Sequence, residues 1–181
     1  MKNNQNIFAN LKKDIGADIS IGIARSLWNP EITDKLYSGC AETLIKYGVC
    51  KSNIKTLEVA GSFELIYAAS YMIDECRVNE HNYNKGHIDA IIVIGSIIKG
   101  ETPHFDFISQ AIINGVKDLN ISTYEARSIP VVLSISTDLN QQQALDRAGG
   151  KFGNKGSDGA LTALHLIEQA NKYNEDFIDS V

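Results

Sequence analysis

The chain is poor in cysteine. Cys40, Cys50 and Cys76 are the only three, an odd number at no metal-ligand spacing. They read as thiols of a reducing compartment and not as a disulfide framework or a zinc site. Long apolar runs are also scarce. The longest, residues 88–98, is too short and too interrupted to span a bilayer. Residues 1–14 are polar and Asn-rich, without the apolar stretch of a signal peptide. Positive charge is in deficit: 17 Lys and Arg stand against 22 Asp and Glu, a net charge of −5. A protein that holds nucleic acid or an anionic membrane by charge needs the opposite balance. The strand-like run at 19–24 is followed by no Gly-x-Gly-x-x-Gly, and no Gly-Lys-Ser/Thr phosphate loop or Cys/His quartet occurs. Residues 25–29 also lack the hydroxyl- and glycine-rich phosphate loop that a flavodoxin would need. There is no repeat and no low-complexity segment. The expectation is a cytoplasmic protein that binds neither nucleic acid nor membrane, with room left for a local basic pocket.

With 181 residues, 44% of them apolar, the chain has the size of one domain and enough material for a core. Its periodic segments alternate. β-branched or apolar runs at 19–24, 55–59, 88–95 and 129–135 predict strands. The run at 88–95 is nearly all apolar, as a strand covered on both faces should be. Helical spacing predicts a helix from Asn29-Pro30-Glu31 to Gly48, with Asn29 as N-cap and Pro30 in the first turn. Further helices are expected over 62–76, from Thr102-Pro103 onward, over 140–148 and over 157–172. In the third of these five, Phe107, Ala111, Ile112, Val116 and Leu119 form the expected inward stripe. The organisation expected is a flexible segment 1–17, one domain over 18–172 and a frayed tail at 173–181. Strands that alternate with helices imply crossover connections and a parallel sheet. The fold class is therefore α/β: a three-layer α/β/α sandwich with a four-stranded parallel, flavodoxin-like sheet.

In such sheets the ligand lies outside the carboxyl ends of the strands. Four segments end there. At 25–29, Trp28, the only tryptophan, can stack on a flat heterocycle or act as a hydrophobic staple before Asn29. At 60–64, Ser62, Phe63 and Glu64 form a first helical turn in which N–H groups and a carboxylate can hold a polyhydroxylated ligand, or merely suit the helix dipole. At 96–104, Ser96, Ile97 and Ile98 lead through Lys99-Gly100 to Glu101 and Thr102 at a helix start, a place where N–H groups and dipole favour phosphate. His104 stands on the first turn; the plainer reading is a cap at Thr102 and a surface histidine. The fourth segment, 136–140, leads on to Arg147, Lys151 and Lys155 among four glycines. These cations can hold a phosphate, Arg147 in two-pronged fashion, or simply complement a helix C-terminus.

Ile-Gly-Ile-Ala-Arg (21–25), Trp28-Asn29, Val-Ala-Gly-Ser-Phe-Glu-Leu (59–65), Ile-Lys-Gly-Glu-Thr-Pro-His-Phe-Asp (98–106) and Asp-Arg-Ala-Gly-Gly-Lys-Phe-Gly-Asn-Lys-Gly (146–156) together resemble the lumazine synthase family. The resemblance spans about residues 18–172. It implies condensation of 5-amino-6-(D-ribitylamino)uracil with 3,4-dihydroxy-2-butanone 4-phosphate, without metal or cofactor. It implies that Trp28 stacks on the pyrimidine and that Ser62, Phe63 and Glu64 meet the ligand, with Glu64 on the ribityl hydroxyls. Ser96, Ile97 and Ile98 then contact the uracil edge, Glu101 and Thr102 the phosphate, and His104 moves protons. Arg147 binds phosphate, and it and Leu133 come from the neighbouring subunit of a ring of five, the self-association the resemblance carries with it. The chain departs from the family pattern at Ala60 (usually proline), Lys99 (commonly arginine) and Leu133 (usually phenylalanine). Loops 77–87 and 124–128 look longer than usual. Two other readings stay open: a non-catalytic lumazine- or flavin-binding relative, and a shell-forming protein.

Overall fold

The most apolar run of the sequence becomes an inner strand of the sheet. In this computed structural model, which describes residues 7–78, 87–123 and 129–178, β3 (Ala90–Ile98) is buried along nearly its whole length. A strand with no polar side to show to water has to be covered on both faces. It pairs in parallel with β1 (Ile21–Ser26) on one side and β4 (Val131–Asp138) on the other, and β2 (Ile54–Val59) gives the order β2-β1-β3-β4. Parallel neighbours cannot be joined by tight hairpins, so helices carry the chain across.

Side-chain alternation then assigns the layers. Ile92 and Ile94 of β3, Ile21 and Ile23 of β1 and Val132 of β4 meet α1 (Pro30–Lys46) and α5 (Lys155–Ile178) through Leu36, Leu44, Ala160 and Leu164. Ile91, Val93 and Ile97, with Ala24, Val131 and Ile135, meet α2 (Leu65–Val78) and α3 (His104–Thr123) through Leu65, Met72, Ile112 and Val116. This is the three-layer, flavodoxin-like arrangement expected. Cys40 lies in the α1 core, where burial pushes its thiol up to about 12. Among the described residues no helix is long and apolar enough to cross a membrane.

Several boundaries differ from expectation, each for a physical reason. β1 lies at Ile21–Ser26 and not at 19–24, because a ladder is made of backbone: Arg25 and Ser26 continue it against Glu58 and Val59. β3 and β4 both run on, to Ile98 opposite Asp138, so Ser96, Ile97 and Ile98 belong to the strand. Phe107 and Ala111 are exposed on α3; the buried stripe is Ile112 and Val116, with Phe105, Ile108 and Leu119 partly covered. α5 begins at Lys155 and continues to Ile178, past the expected end at 172. Residues 7–17, expected to be flexible, include Leu11, which is buried in the α1–α5 core, and Phe8, whose ring meets His165 edge-on at 5.9 Å. Most of the segment 77–87, and all of 124–128, lie outside the described residues.

α4 (Gln141–Arg147) is capped by Asn140, whose side chain accepts from the Gln143 N–H at 3.0 Å. Where a plain bend was expected, the chain forms a small antiparallel hairpin, β5 (Ala148–Gly150) and β6 (Gly153–Asn154). Gly149 (φ 106) and Gly153 (φ 81) take the left-handed backbone it needs. Asn154 then caps α5, accepting from the N–H groups of Gly156 (2.8 Å) and Ser157 (3.2 Å), while donating to the Lys35 carbonyl at 2.8 Å. α1 and α5 approach so closely here that a Cβ on Gly156 would lie 1.9 Å from the Leu36 carbonyl oxygen. Backbone cannot step aside as a side chain can. Gly156→Ala should therefore destabilise the fold by about 2–3 kcal/mol, the upper part of the overpacking range. Chemical denaturation at fixed protein concentration measures this, and a variant of unchanged stability would show that the α1–α5 contact yields.

Candidate active site

The site is built around one carbonyl. The Ser96 oxygen, near the end of β3, accepts from the Asn29 side-chain amide at 3.3 Å and from the Ser62 hydroxyl at 3.5 Å. Three chain segments are thereby tied together at the carboxyl ends of β1, β2 and β3. The tie between Asn29 and Ser96 crosses from β1 to β3. This is where the crossovers change face, α1 on one side and α2 and α3 on the other. Open α/β sheets have their binding crevice at that switch.

Asn29 does not cap α1 with its side chain, as the sequence suggested. Its backbone is left-handed (φ 56, ψ 59), a region asparagine enters more readily than most residues, and no side-chain cap is made. Its carbonyl starts the helix instead, accepting from the N–H groups of Ile32 and Thr33. The side chain is thus free to reach Ser96. Just before it, the N–H groups of Leu27 and Trp28 donate to the carbonyls of Val59 (2.8 Å) and Ala60 (3.0 Å). The Trp28 backbone is clipped to the end of β2 while its ring stays 70% exposed. The ring is not packed away as a staple would be. Phe63 is half-exposed beside it in sequence to the buried Ser62. The exposed Glu64 carboxylate accepts from the Gly61 N–H at 3.0 Å and closes that turn.

Beyond β3 the Lys99 N–H donates to the Asp138 carbonyl at 2.9 Å, and the chain then opens to solvent at Gly100, Glu101 and Thr102. Helix α3 starts at His104, two residues after the expected opening at Thr102. The Pro103 carbonyl accepts from Asp106 and Phe107. His104 is exposed at this helix start.

The remaining candidates lie apart. Arg147 ends α4 and sits 4.0 Å from the Asp158 carboxylate. Lys155 begins α5, its carbonyl held by the Ser134 hydroxyl at 2.7 Å. Burial lowers the Lys155 pKa and Arg147 lowers it further, against the opposing pull of Asp158 and Asp138. Lys151 is exposed, its ammonium 5.3 Å from the Phe152 ring centre. α4 and α5 pack on the α1 face of the sheet and α3 on the other, so His104 and Arg147 of one chain stand on opposite faces. Leu133, half-buried, registers with Val93 on β3, about 10 Å short of Ser96 along the strand. Among the described residues no three His, Cys, Asp or Glu side chains gather as a metal ion would require.

The sequence reading missed Asp138. Its carboxylate accepts from the Ser136 hydroxyl and is buried. The signal was present: Ser134, Ser136 and Asp138 occupy alternate positions, hence one face, of a strand whose Val132 belongs to the core.

The family described as 6,7-dimethyl-8-ribityllumazine synthase matches residues 18–171. A protein of that name from Flavobacterium johnsoniae is 43% identical over 149 residues, 82% of this chain and 71% of the other. One from Porphyromonas gingivalis is 40% identical over 151 residues, covering 83% and 85%. One from Bacteroides fragilis is 41% identical over 150 residues, covering 83% and 95%. The chain belongs to the 6,7-dimethyl-8-ribityllumazine synthase family.

Proposed function

We propose that the protein condenses 5-amino-6-(D-ribitylamino)uracil with 3,4-dihydroxy-2-butanone 4-phosphate, giving 6,7-dimethyl-8-ribityllumazine, phosphate and water. This is the penultimate step of riboflavin biosynthesis. Beside the family membership, the observation that carries the reading is the meeting of Asn29 and Ser62 on the Ser96 carbonyl. It gathers the exposed Trp28, Phe63 and Glu64 around the end of β3, on the rim from which the chain runs to His104.

The roles follow from residue chemistry. The Trp28 ring stacks on the flat pyrimidine, and backbone groups of Ser96, Ile97 and Ile98 address its polar edge. Glu64 accepts from ribityl hydroxyls. Glu101 and Thr102 offer N–H groups to the substrate phosphate, which Arg147 grips with two parallel donors and Lys151 and Lys155 attract as point charges. The reaction joins an amine to a ketone as an imine, expels phosphate and closes a ring. Each step moves a proton, and His104 is placed at the helix start to move it. Orientation supplies much of the remaining acceleration, since both substrates are held against one rim. Arg147 and Leu133 act on the site of a neighbouring copy in a ring of five. For Arg147 this is supported by the opposite faces on which it and His104 lie. A protein that only bound a lumazine or flavin would have no use for a proton-moving group beside a phosphate anchor, so that reading is not favoured.

Trp28→Ala should weaken binding of a ribityl-pyrimidine analogue by roughly tenfold or more, with unchanged thermal stability, because an exposed ring contributes little to the core. Calorimetric titration and a melting curve measure the two. Unfolding of the variant, or unchanged affinity, would return Trp28 to a structural role.

His104→Ala should lower turnover by ~10²–10⁴. Arg147→Ala should raise the KM for the phosphate substrate more than that for the pyrimidine. Mixing these two variants after dissociation and reassembly checks the shared site. If one chain supplies His104 and the next Arg147, some interfaces in mixed rings carry both and activity returns. Confirmed mixing with no recovery of activity would place both residues in one chain's site.

A further inference from the structure

Arg25 of β1 registers with Glu58 of β2, and the alternation that turns Ile21 and Ile23 toward α1 turns Arg25 the same way. Its guanidinium meets three groups there. One Nη donates to the Asp34 carboxylate of α1 and the other to the Glu58 carboxylate at 3.4 Å. The Tyr37 ring lies against it, 5.0 Å from the guanidinium carbon to the ring centre. Tyr37 is held in turn by its hydroxyl, 3.1 Å from that of Thr56 on β2. Only arginine offers two donors in a fixed fork together with a flat face for an aromatic ring. Stability does not account for this arrangement. The side chains of Asp34 and Glu58 are 59% and 50% exposed, and ion pairs to such groups add little. The Arg25 side chain is itself mostly enclosed, and its Nε has no hydrogen-bond partner among the described residues. An apolar side chain would fill that corner at less cost. What the contacts do accomplish is geometric. Arg25 and Asp34 stand nine positions apart and close a loop that carries Trp28 and Asn29. Glu58 ties the base of that loop to β2, just ahead of Val59 and Ala60, whose carbonyls accept from the N–H groups of Leu27 and Trp28.

We propose that Arg25 is a positioning residue for Trp28: its guanidinium, forked between Asp34 and Glu58 and laid on Tyr37, straps the loop 25–34 so that the indole is presented to the pyrimidine in one orientation. This rests on the reading above in which Trp28 stacks on that ring. The indole is 70% exposed and has little packing of its own to hold it, so its placement comes from the backbone beneath it. The clips at Leu27 and Trp28 fix the β2 side of the turn. The strap fixes the other side, where α1 departs. Without the strap the first turns of α1 are free to shift against β2, and the indole meets the substrate in a wider range of orientations. Arg25 thereby acts on binding through Trp28 and needs no contact with substrate.

The test compares wild type, Arg25→Met, Trp28→Ala and the double variant, each as the whole assembled protein. Methionine keeps much of the packing of the arginine stem and removes the fork. In Arg25→Met the KM for the pyrimidine substrate should rise roughly three- to tenfold, with a far smaller change in kcat and none in the phosphate KM. Arg25→Lys should fail to restore it, because a point charge does not span both carboxylates. Trp28 is the only tryptophan, so its fluorescence reports on the loop directly. The anisotropy decay of the indole should gain a faster component in Arg25→Met. In the Trp28→Ala background, Arg25→Met should raise the pyrimidine KM by less than about twofold, since the group it positions is gone. A full effect in that background overturns the proposal, and so does an unmoved anisotropy decay in Arg25→Met. If Arg25→Met does not fold, Asp34→Ala cuts the strap at its exposed end and is read identically. Trp28→Ala separates the two levels. If it leaves the pyrimidine KM unchanged, the stacking reading fails; if it raises that KM while Arg25→Met does not, the strap alone fails.

Discussion

The three segments that meet at the ends of β1, β2 and β3 are joined through one backbone oxygen. A carbonyl has two lone pairs, and that of Ser96 receives Asn29 from one side and Ser62 from the other. Both bonds are long, and each contributes at most about 1 kcal/mol net. Their effect is geometric. Asn29 is left-handed and makes no side-chain cap, so its amide is available to Ser96, while the exposed Trp28 has its N–H clipped to Ala60. Ser62 comes from the next strand's loop and brings Phe63 and Glu64 with it. The exposed aromatics are therefore held by a buried polar joint and not by packing of their own rings.

The joint has to be there because of the sheet. β3 is apolar on both faces, so it must lie between two strands and two helical layers, and its backbone groups are consumed by the ladders up to Arg25 on one side. Past that level β1 ends while β3 continues beside β4 to Ile98. One edge of β3 is then left without a strand partner over its last residues. The Ser96 carbonyl meets side chains there, not another ladder. Buried backbone acceptors rarely go unpaired, and here the same rule that completes the fold also sites the crevice.

Much of this was legible beforehand. The unbroken apolar run predicted an inner strand, and the alternation of runs predicted the parallel sheet and its layers. The segments at the carboxyl ends of the strands could be named beforehand because the strand runs themselves were legible. What escaped were features with no local signature. The side-chain role of Asn29 was misread because an asparagine before Pro30 is the ordinary sign of a cap; its bond to Ser96 joins residues 67 positions apart. The inward face of α3 was set by the phase of the helix over the sheet, so Phe107, the largest apolar candidate, ended in solvent. The hairpin at Ala148–Gly150 and Gly153–Asn154 is too short for periodicity to show. Asp138 could have been seen, had the alternation on β4 been traced past its apolar half.

The residues assigned to the reaction also sort by height on the sheet, and that sorting bears on assembly. Trp28, Asn29, Ser62 and Ser96 are tied at the rim, where the strands end. Leu133 and Lys155 are anchored lower. Leu133 registers with Val93, and the Lys155 carbonyl is held by Ser134, which registers with Ile94, two positions short of Ser96. Arg147 is drawn toward Asp158, one turn into α5 on the α1 face, and away from the face that carries α3. A substrate lying on a chain's own rim is thus poorly served by that chain's flank, whereas a second copy placed against the rim can present its flank there. If Arg147 is to grip a phosphate whose proton transfers are made by His104, elements on opposite faces of one chain serve that task less directly than one rim and a neighbouring flank, which is the arrangement the proposed ring would supply.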